Sequence, residues 1–397
     1  MKNKILLILI YINIFFTLII LSKDLNFLWG IHLGILFLIV VIRKQSLTYK
    51  VLGIVFLPFI FFSQFTFFIN LMIKKFSNLI IIFYIIYIIG MIGLIIPLVQ
   101  NLYGSIRRPI YRLIGTFWLS ISIFWAGQPE LDHLSYERVI VGLNRSDLVK
   151  GIVILIYMYL VIKRWGYEVR FNLPIDFSKY INIIILVVTM ITGIWFCLFV
   201  VFSSIAINYK AIFENWDFSL INPTLSERFK NSWEIYFSAI EASLVEESER
   251  YINLILIFAI LKKQKFRLEL SILCSSLLFA LPHIFNVFSI PPYQLSFEEA
   301  IYQVFFAFGF GCYLAVVFLY TGKLWIVILF HIFYDSLVSS ITPLGISGSL
   351  ILSRISYTMV VTIGWLLLAA IIFILNKKII KENIILLTER RNEKILS

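Results

Sequence analysis

Residues 79–99 read LIIIFYIIYIIGMIGLIIPLV, with no charged side chain from end to end. A helix rises about 1.5 Å per residue, so about 20 consecutive apolar residues cross the roughly 30 Å of bilayer hydrocarbon. This run meets that requirement by itself, and the rest of the chain agrees with it. Of 397 residues, 61% are hydrophobic, 17% aromatic and 14% charged, and the mean hydropathy is +0.96. A soluble domain carries about 25% charged residues. The composition predicts an all-α protein, a polytopic transmembrane helical bundle.

Twelve apolar runs qualify as spans: 5–22, 25–42, 51–73, 79–99, 109–126, 147–163, 181–206, 236–261, 268–289, 300–321, 324–345 and 357–375. Lys and Arg are retained on the cytoplasmic side of a membrane. With the amino terminus inside, the inner segments include Arg43–Lys50, Asn101–Arg108, Lys163–Lys179 and Lys262–Arg267, nearly all of them basic. The outer segments 127–146, 207–232 and 290–299 mix signs or lean acidic, and Lys74-Lys75 is the one clear violation. About twelve spans with both termini cytoplasmic, in a multi-pass protein of the cell membrane, is the expected topology. The formal net charge of +12 then reflects basic loops rather than nucleic-acid binding. The first run, following Met1-Lys2-Asn3-Lys4, lacks a small-residue cleavage site and reads as an uncleaved span. Cys197, Cys274 and Cys312 fall in apolar runs without CxxC spacing and read as buried thiols, with no disulfide framework.

The composition shifts near residue 207. Four regions are expected: 1–206, a transmembrane region of about seven spans; 207–231, an outer loop; 232–345, the functional core; and 346–397, the last span and a cytoplasmic charged tail. The core carries three polar segments inside hydrophobic sequence: Glu246-Glu247-Ser248-Glu249-Arg250, Phe279-Ala280-Leu281-Pro282-His283, and His331-Ile332-Phe333-Tyr334-Asp335. Two of the chain's four histidines are here. An ionisable group at membrane depth costs roughly 2.5–3.5 kcal/mol on insertion scales, so its presence points to use.

Adjacent helical residues point about 100° apart, so Glu246 and Glu247 cannot both face one point. One can serve a reacting centre while the other anchors a neighbouring helix, with Arg250 within reach of either. Phe279 and His283 share a helix face, as do His331 and Asp335, and Pro282 predicts a kink. The bland alternatives are a solvated helix start for the acidic cluster and packed, carbonyl-bonded imidazoles for the histidines.

The three segments, in this order, resemble the signature of the CAAX protease and bacteriocin-processing family of intramembrane endopeptidases, also called the Abi family: EExxxR, FxxxH and HxxxN or HxxxD. The stretches Phe308-Gly309-Phe310-Gly311-Cys312-Tyr313-Leu314 and Tyr320-Thr321-Gly322-Lys323-Leu324-Trp325-Ile326 before His331 are also similar. The resemblance covers roughly residues 232–345. It implies an intramembrane endopeptidase acting on a peptide or membrane protein, with Glu246 as the base that activates water and His283 positioning that water. His331 and Asp335 would meet the oxyanion or hold the site together. An ionised Asp335 cannot donate a hydrogen bond, so its implied part is to orient His331. Glu247, Arg250 and Phe279 are the implied supporting residues.

The arginine departs from the pattern. Aligning on the glutamate pair puts Tyr251 at the arginine position, whereas aligning on Arg250 puts Val245 where the first glutamate belongs. The first register is favoured because a consecutive glutamate pair is the rarer feature; the second implies a catalytically impaired protein. The resemblance implies no metal cofactor. The zinc alternative would use Glu246, His283 and His331 as ligands, although HExxH is absent. Two other classes stay open: a scaffold or bacteriocin-immunity membrane protein of this family, and a proton-coupled transporter. The expected partners are a peptide or membrane-protein substrate, the lipid bilayer and a partner membrane protein reached through the first spans.

Overall fold

The computed structural model describes residues 2–22, 27–44, 46–131, 138–167, 169–171, 173, 180–205, 210, 216–221, 232–288, 294–340 and 354–388. Among these, every regular element is a helix. The α-helices are α1 (Lys2–Leu21), α2 (Phe27–Val41), α3 (Ser46–Lys75), α4 (Ile80–Asn101), α5 (Pro109–Trp125), α6 (Arg138–Arg145) and α7 (Leu148–Arg164). They continue as α8 (Tyr180–Ile205), α9 (Ser232–Ile260), α10 (Arg267–Ala280), α11 (Phe297–Thr321), α12 (Leu324–Ser340) and α13 (Arg354–Thr388). The described residues of each of the twelve apolar runs fall on a helix; only the short α6 comes from sequence read as loop.

Seven of these helices are long and apolar enough to cross a membrane: α1, α3, α4, α8, α10 with its 3-10 extension, α11 and α13. That count differs from twelve for two physical reasons. α2 and α12 are apolar but short, and α5 and α7 have 17 residues each. α9 has ample length at 29 residues but carries Glu241, Glu246, Glu247, Glu249 and Arg250 through its middle.

The chain divides into two compact units, Met1–Tyr167 and Glu168–Ser397. The division falls before α8, not after it as the composition shift near 207 suggests, because α8 packs with α12 and α13. Its contacts are specific: Phe196 meets Trp365 edge-on at 4.5 Å, and Tyr313 donates to the Thr189 carbonyl at 3.3 Å. Most of the expected outer loop 207–231 lies outside the described residues.

In the first unit, polar side chains tie otherwise apolar helices together. Gln64 donates to Thr17 at 2.7 Å between α3 and α1, Trp118 to the Val55 carbonyl at 2.7 Å between α5 and α3, and Trp165 to the Tyr103 carbonyl at 3.0 Å. In a bilayer such bonds add to packing because lipid offers a freed polar group no alternative partner.

In the second unit, α11 is the central helix. It packs against α10 and α13, while α9 packs against α10 and α12. Its start is a capping box between Ser296 and Glu299, and Gly322 ends it in the left-handed conformation at φ 64°. Two of its glycines face opposite neighbours. A Cβ on Gly309 would lie 2.9 Å from the Thr362 carbonyl oxygen on α13, and one on Gly311 would lie 2.9 Å from the Phe279 ring and 3.0 Å from Arg250 Nη1. Residues two apart on a helix point about 200° apart, so the pair admits close neighbours on both sides. Gly309→Val is expected to force α13 away from α11 and to lower stability by about 1–3 kcal/mol. Thermal unfolding in detergent checks this; an unchanged melting temperature would show that the close approach carries no stability.

The end of α13 differs from a solvated tail. The helix breaks at Asn376 (φ −122°, ψ 20°) and resumes with Ile380, Asn383, Ile384 and Leu387 buried, one face of an amphipathic helix. Asn383 Nδ2 donates to the last carbonyls of α11, Leu319 at 2.7 Å and Tyr320 at 3.3 Å. Lys377 pairs with Glu269 of α10 at 2.7 Å. Residues 389–397 lie outside the described residues.

Candidate active site

Glu246, Glu247 and Arg250 sit mid-way along α9, flanked by Val245 and Tyr251. Glu247 is fully buried and Arg250 nearly so. Positions three apart on a helix lie on one face, and Arg250 grips Glu247 with two bonds: Nε donates to Oε2 at 2.8 Å and Nη2 to Oε1 at 3.1 Å. Nη1 donates to the Gly311 carbonyl at 3.1 Å, and the guanidinium stacks over the Phe279 ring at 4.0 Å. One side chain thereby joins α9, α10 and α11. A buried ion pair offsets its desolvation only with such further hydrogen bonds.

Glu247 reaches a fourth helix. His331, on α12 and buried, donates from Nδ1 to Glu247 Oε1 at 2.8 Å. An ionised carboxylate only accepts, so Nδ1 carries a proton and Nε2 faces the other way. Nε2 lies 3.5 Å from Glu246 Oε2 and 3.5 Å from Asp335 Oδ2. The two flanking carboxylates are each about a quarter exposed (28%), against 0% for Glu247. Adjacent glutamates therefore point apart as helix geometry requires: Glu247 into the packed interior, Glu246 toward the Nε2 edge of His331.

The α-helix of α10 ends at Ala280, just before Pro282, and the chain continues as a 3-10 segment over Leu281–Phe288. Pro282 has no N–H to continue the α-helical ladder. The segment carries His283, whose ring meets Phe279 at 5.6 Å. Phe279 also contacts the His331 ring at 6.0 Å and Phe310 does so at 5.4 Å. His283, His331 and Asp335 together line a cavity of about 340 Å³, whose apolar wall includes Phe306, Phe310 and Tyr334.

The structure thus brings Glu246 and Asp335 within ion-pair range of His331 and puts His283 on a cavity with His331 and Asp335. It redistributes one expectation. The short contact that orients His331 comes from Glu247, and Asp335 lies on the opposite, Nε2 side. The arginine one position early still reaches Glu247, by i,i+3 spacing. Tyr251 instead accepts from the Arg170 N–H at 3.1 Å and packs on Phe171 and Phe318. Val245 is a buried apolar residue. Gly311, which lies in the stretch before His331 that is similar to the family's, admits both Arg250 and Phe279; two glycines inside an apolar helix are the available signal in the sequence.

Among the described residues, no three His, Cys, Asp or Glu side chains form a group that could hold a metal ion.

Residues 228–337 match the family described as type II CAAX prenyl endopeptidase Rce1-like. This segment is Rce1-like. It contains every residue of the constellation, from Glu246 to Asp335, and leaves residues 1–227 and 338–397 outside the match. No curated protein and no solved structure matches the chain. The apolar helices make this a multi-pass membrane protein, one segment of which is similar to the Rce1-like family.

Proposed function

We propose that the Rce1-like segment is an intramembrane endopeptidase site in which Glu246 activates the hydrolytic water. The observation that carries this reading is the convergence at His331 Nε2 of two carboxylates from different helices, with His331 and Asp335 on a cavity shared with His283. Three lone-pair groups facing one another repel unless a proton sits among them, so the cluster holds a proton as well as a base. Glu246 takes a proton from water as the water oxygen attacks the scissile carbonyl carbon, and His283 orients that water. His331, protonated at Nε2 beside Asp335, donates to the oxyanion that forms. When the C–N bond breaks, the proton held by Glu246 passes to the leaving amine. Arg250 and Glu247 act through His331, holding its ring and tautomer.

Water activation is assigned to Glu246 without a metal. Among the described residues, the donors of the zinc alternative, Glu246, His283 and His331, do not form a metal-holding group. Proteolysis is expected to persist when the purified protein is dialysed against a strong zinc chelator. Loss of activity, restored by zinc, favours the metal-dependent reading instead.

The substrate is a peptide or membrane-protein segment entering the cavity. A comparison of peptides in membranes carrying wild-type or Glu246→Gln protein is expected to show a product that only the wild type releases. A phenotype that survives this substitution at equal expression favours the scaffold or immunity reading. We extend the span count to twelve, with α2, α5, α7, α9 and α12 also crossing and both termini cytoplasmic. The basic inner loops support this, and reporter fusions at the two termini test it.

A further inference from the structure

The first unit holds a groove outside the Rce1-like segment, between α3 and α5. Its volume is about 650 Å³, and its walls include Val51, Val55, Ile114 and Trp118. Ile114 and Val51 are half or more exposed there. Lys50, Arg107 and Arg108 line the same groove. Lys50 stands in the second turn of α3, and Arg107 and Arg108 immediately precede α5, which begins with Pro109. The helices run the same way along the groove, since Trp118, further along α5, bonds to Val55, further along α3. The three cations therefore gather at one end, and the apolar surface extends from them. Among the described residues, none of the three is paired with a carboxylate.

The dimensions select the occupant. From Arg108 to Trp118 the groove follows α5 for about 15 Å, half of the roughly 30 Å hydrocarbon thickness, which is the depth of one leaflet. A cationic end at the membrane surface, joined to an apolar channel one leaflet deep, matches an anionic headgroup with its acyl chain. The start of α5 adds unpaired N–H groups and the positive end of its dipole at the same place.

We propose that the groove between α3 and α5 is a binding site for one anionic phospholipid, its phosphate held by Lys50, Arg107 and Arg108 and an acyl chain lying along Val51, Val55, Ile114 and Trp118. The site belongs to the first unit and is independent of the hydrolytic reading. Charge complementarity favours a lipid over a second copy of this chain, because two copies would bring the same three cations together.

The test uses the full-length protein in mild detergent, titrated with dioleoyl phosphatidylglycerol or dioleoyl phosphatidylcholine and read by native mass spectrometry. One phosphatidylglycerol is expected to stay bound per chain, and phosphatidylcholine is not. The triple variant Lys50→Gln, Arg107→Gln, Arg108→Gln is expected to weaken phosphatidylglycerol by about a hundredfold, roughly fivefold for each charge removed. Ile114→Trp fills the apolar channel with the cations intact and is expected to lose the adduct as well. Equal retention of the two lipids overturns the proposal, as does undiminished binding by the triple variant. Displacement by inorganic phosphate alone at lipid-equivalent concentration overturns it in favour of a phosphate site. A dimer abolished by Ile114→Trp overturns it in favour of self-association.

Discussion

Glu246→Gln is expected to lower the rate of peptide hydrolysis by about 10²–10⁴-fold, the contribution of a positioned general base, with melting temperature unchanged. The amide keeps the size and polarity of the carboxylate but cannot take a proton from water. Its neighbours are the reason the fold survives. Glu246 is partly exposed, and its ion-pair contact among the described residues is with His331 Nε2 at 3.5 Å, longer than a strong hydrogen bond. The packing network runs through Glu247 instead. The measurement is cleavage of a substrate found by the membrane peptide comparison, in single turnover, beside thermal unfolding of the same preparation. Wild-type rates in the variant would remove Glu246 from the chemistry. A rate loss accompanied by a lowered melting temperature would make it a structural residue.

The opposite pattern is expected one helical face away. Arg250→Met removes the cation that two bonds and a ring hold against Glu247, and leaves that carboxylate fully buried. Breaking a buried pair by deleting one partner costs about 3–5 kcal/mol, because the remaining charge is uncompensated. The same change frees the Gly311 carbonyl and the Phe279 ring, so α9, α10 and α11 lose a shared contact. The double variant Arg250→Met, Glu247→Leu should recover much of the stability, since it removes both charges together. It should not recover hydrolysis, because His331 then lacks the acceptor that holds Nδ1. Full stability in the single variant would mean that water reaches Glu247.

The two outcomes separate the adjacent glutamates by function, a distinction their spacing hints at but does not assign. A helical step of about 100° requires Glu246 and Glu247 to face differently. Which one meets His331 Nε2 depends on how α9 is rotated against α10, α11 and α12. That rotation is set by contacts such as the Gly311 carbonyl with Arg250, between residues 61 positions apart. The early arginine illustrates the same limit. As a string, Arg250 one place short of its expected position puts the whole register in question. In the folded helix, i,i+3 and i,i+4 share a face, and Glu247 is reached all the same.

The parts legible in the sequence are those whose cause is local. A run such as residues 79–99 must become a helix in a membrane because every backbone polar group has to be satisfied within the segment. The described residues of each of the twelve apolar runs fall on a helix for that reason. Ionisable side chains at Glu246, His283, His331 and Asp335 stand out because each is a costly group set in otherwise apolar sequence, which is visible along the chain. Tertiary structure decided what depends on two segments at once. It paired α8 with the second unit, turned the expected orienting role at His331 from Asp335 to Glu247, and folded residues 380–387 onto the end of α11. It also joined Lys50 to Arg107 and Arg108 on one groove. Hydrophobicity is a property each residue carries along the chain, whereas the direction a side chain faces is set by the surface it packs against.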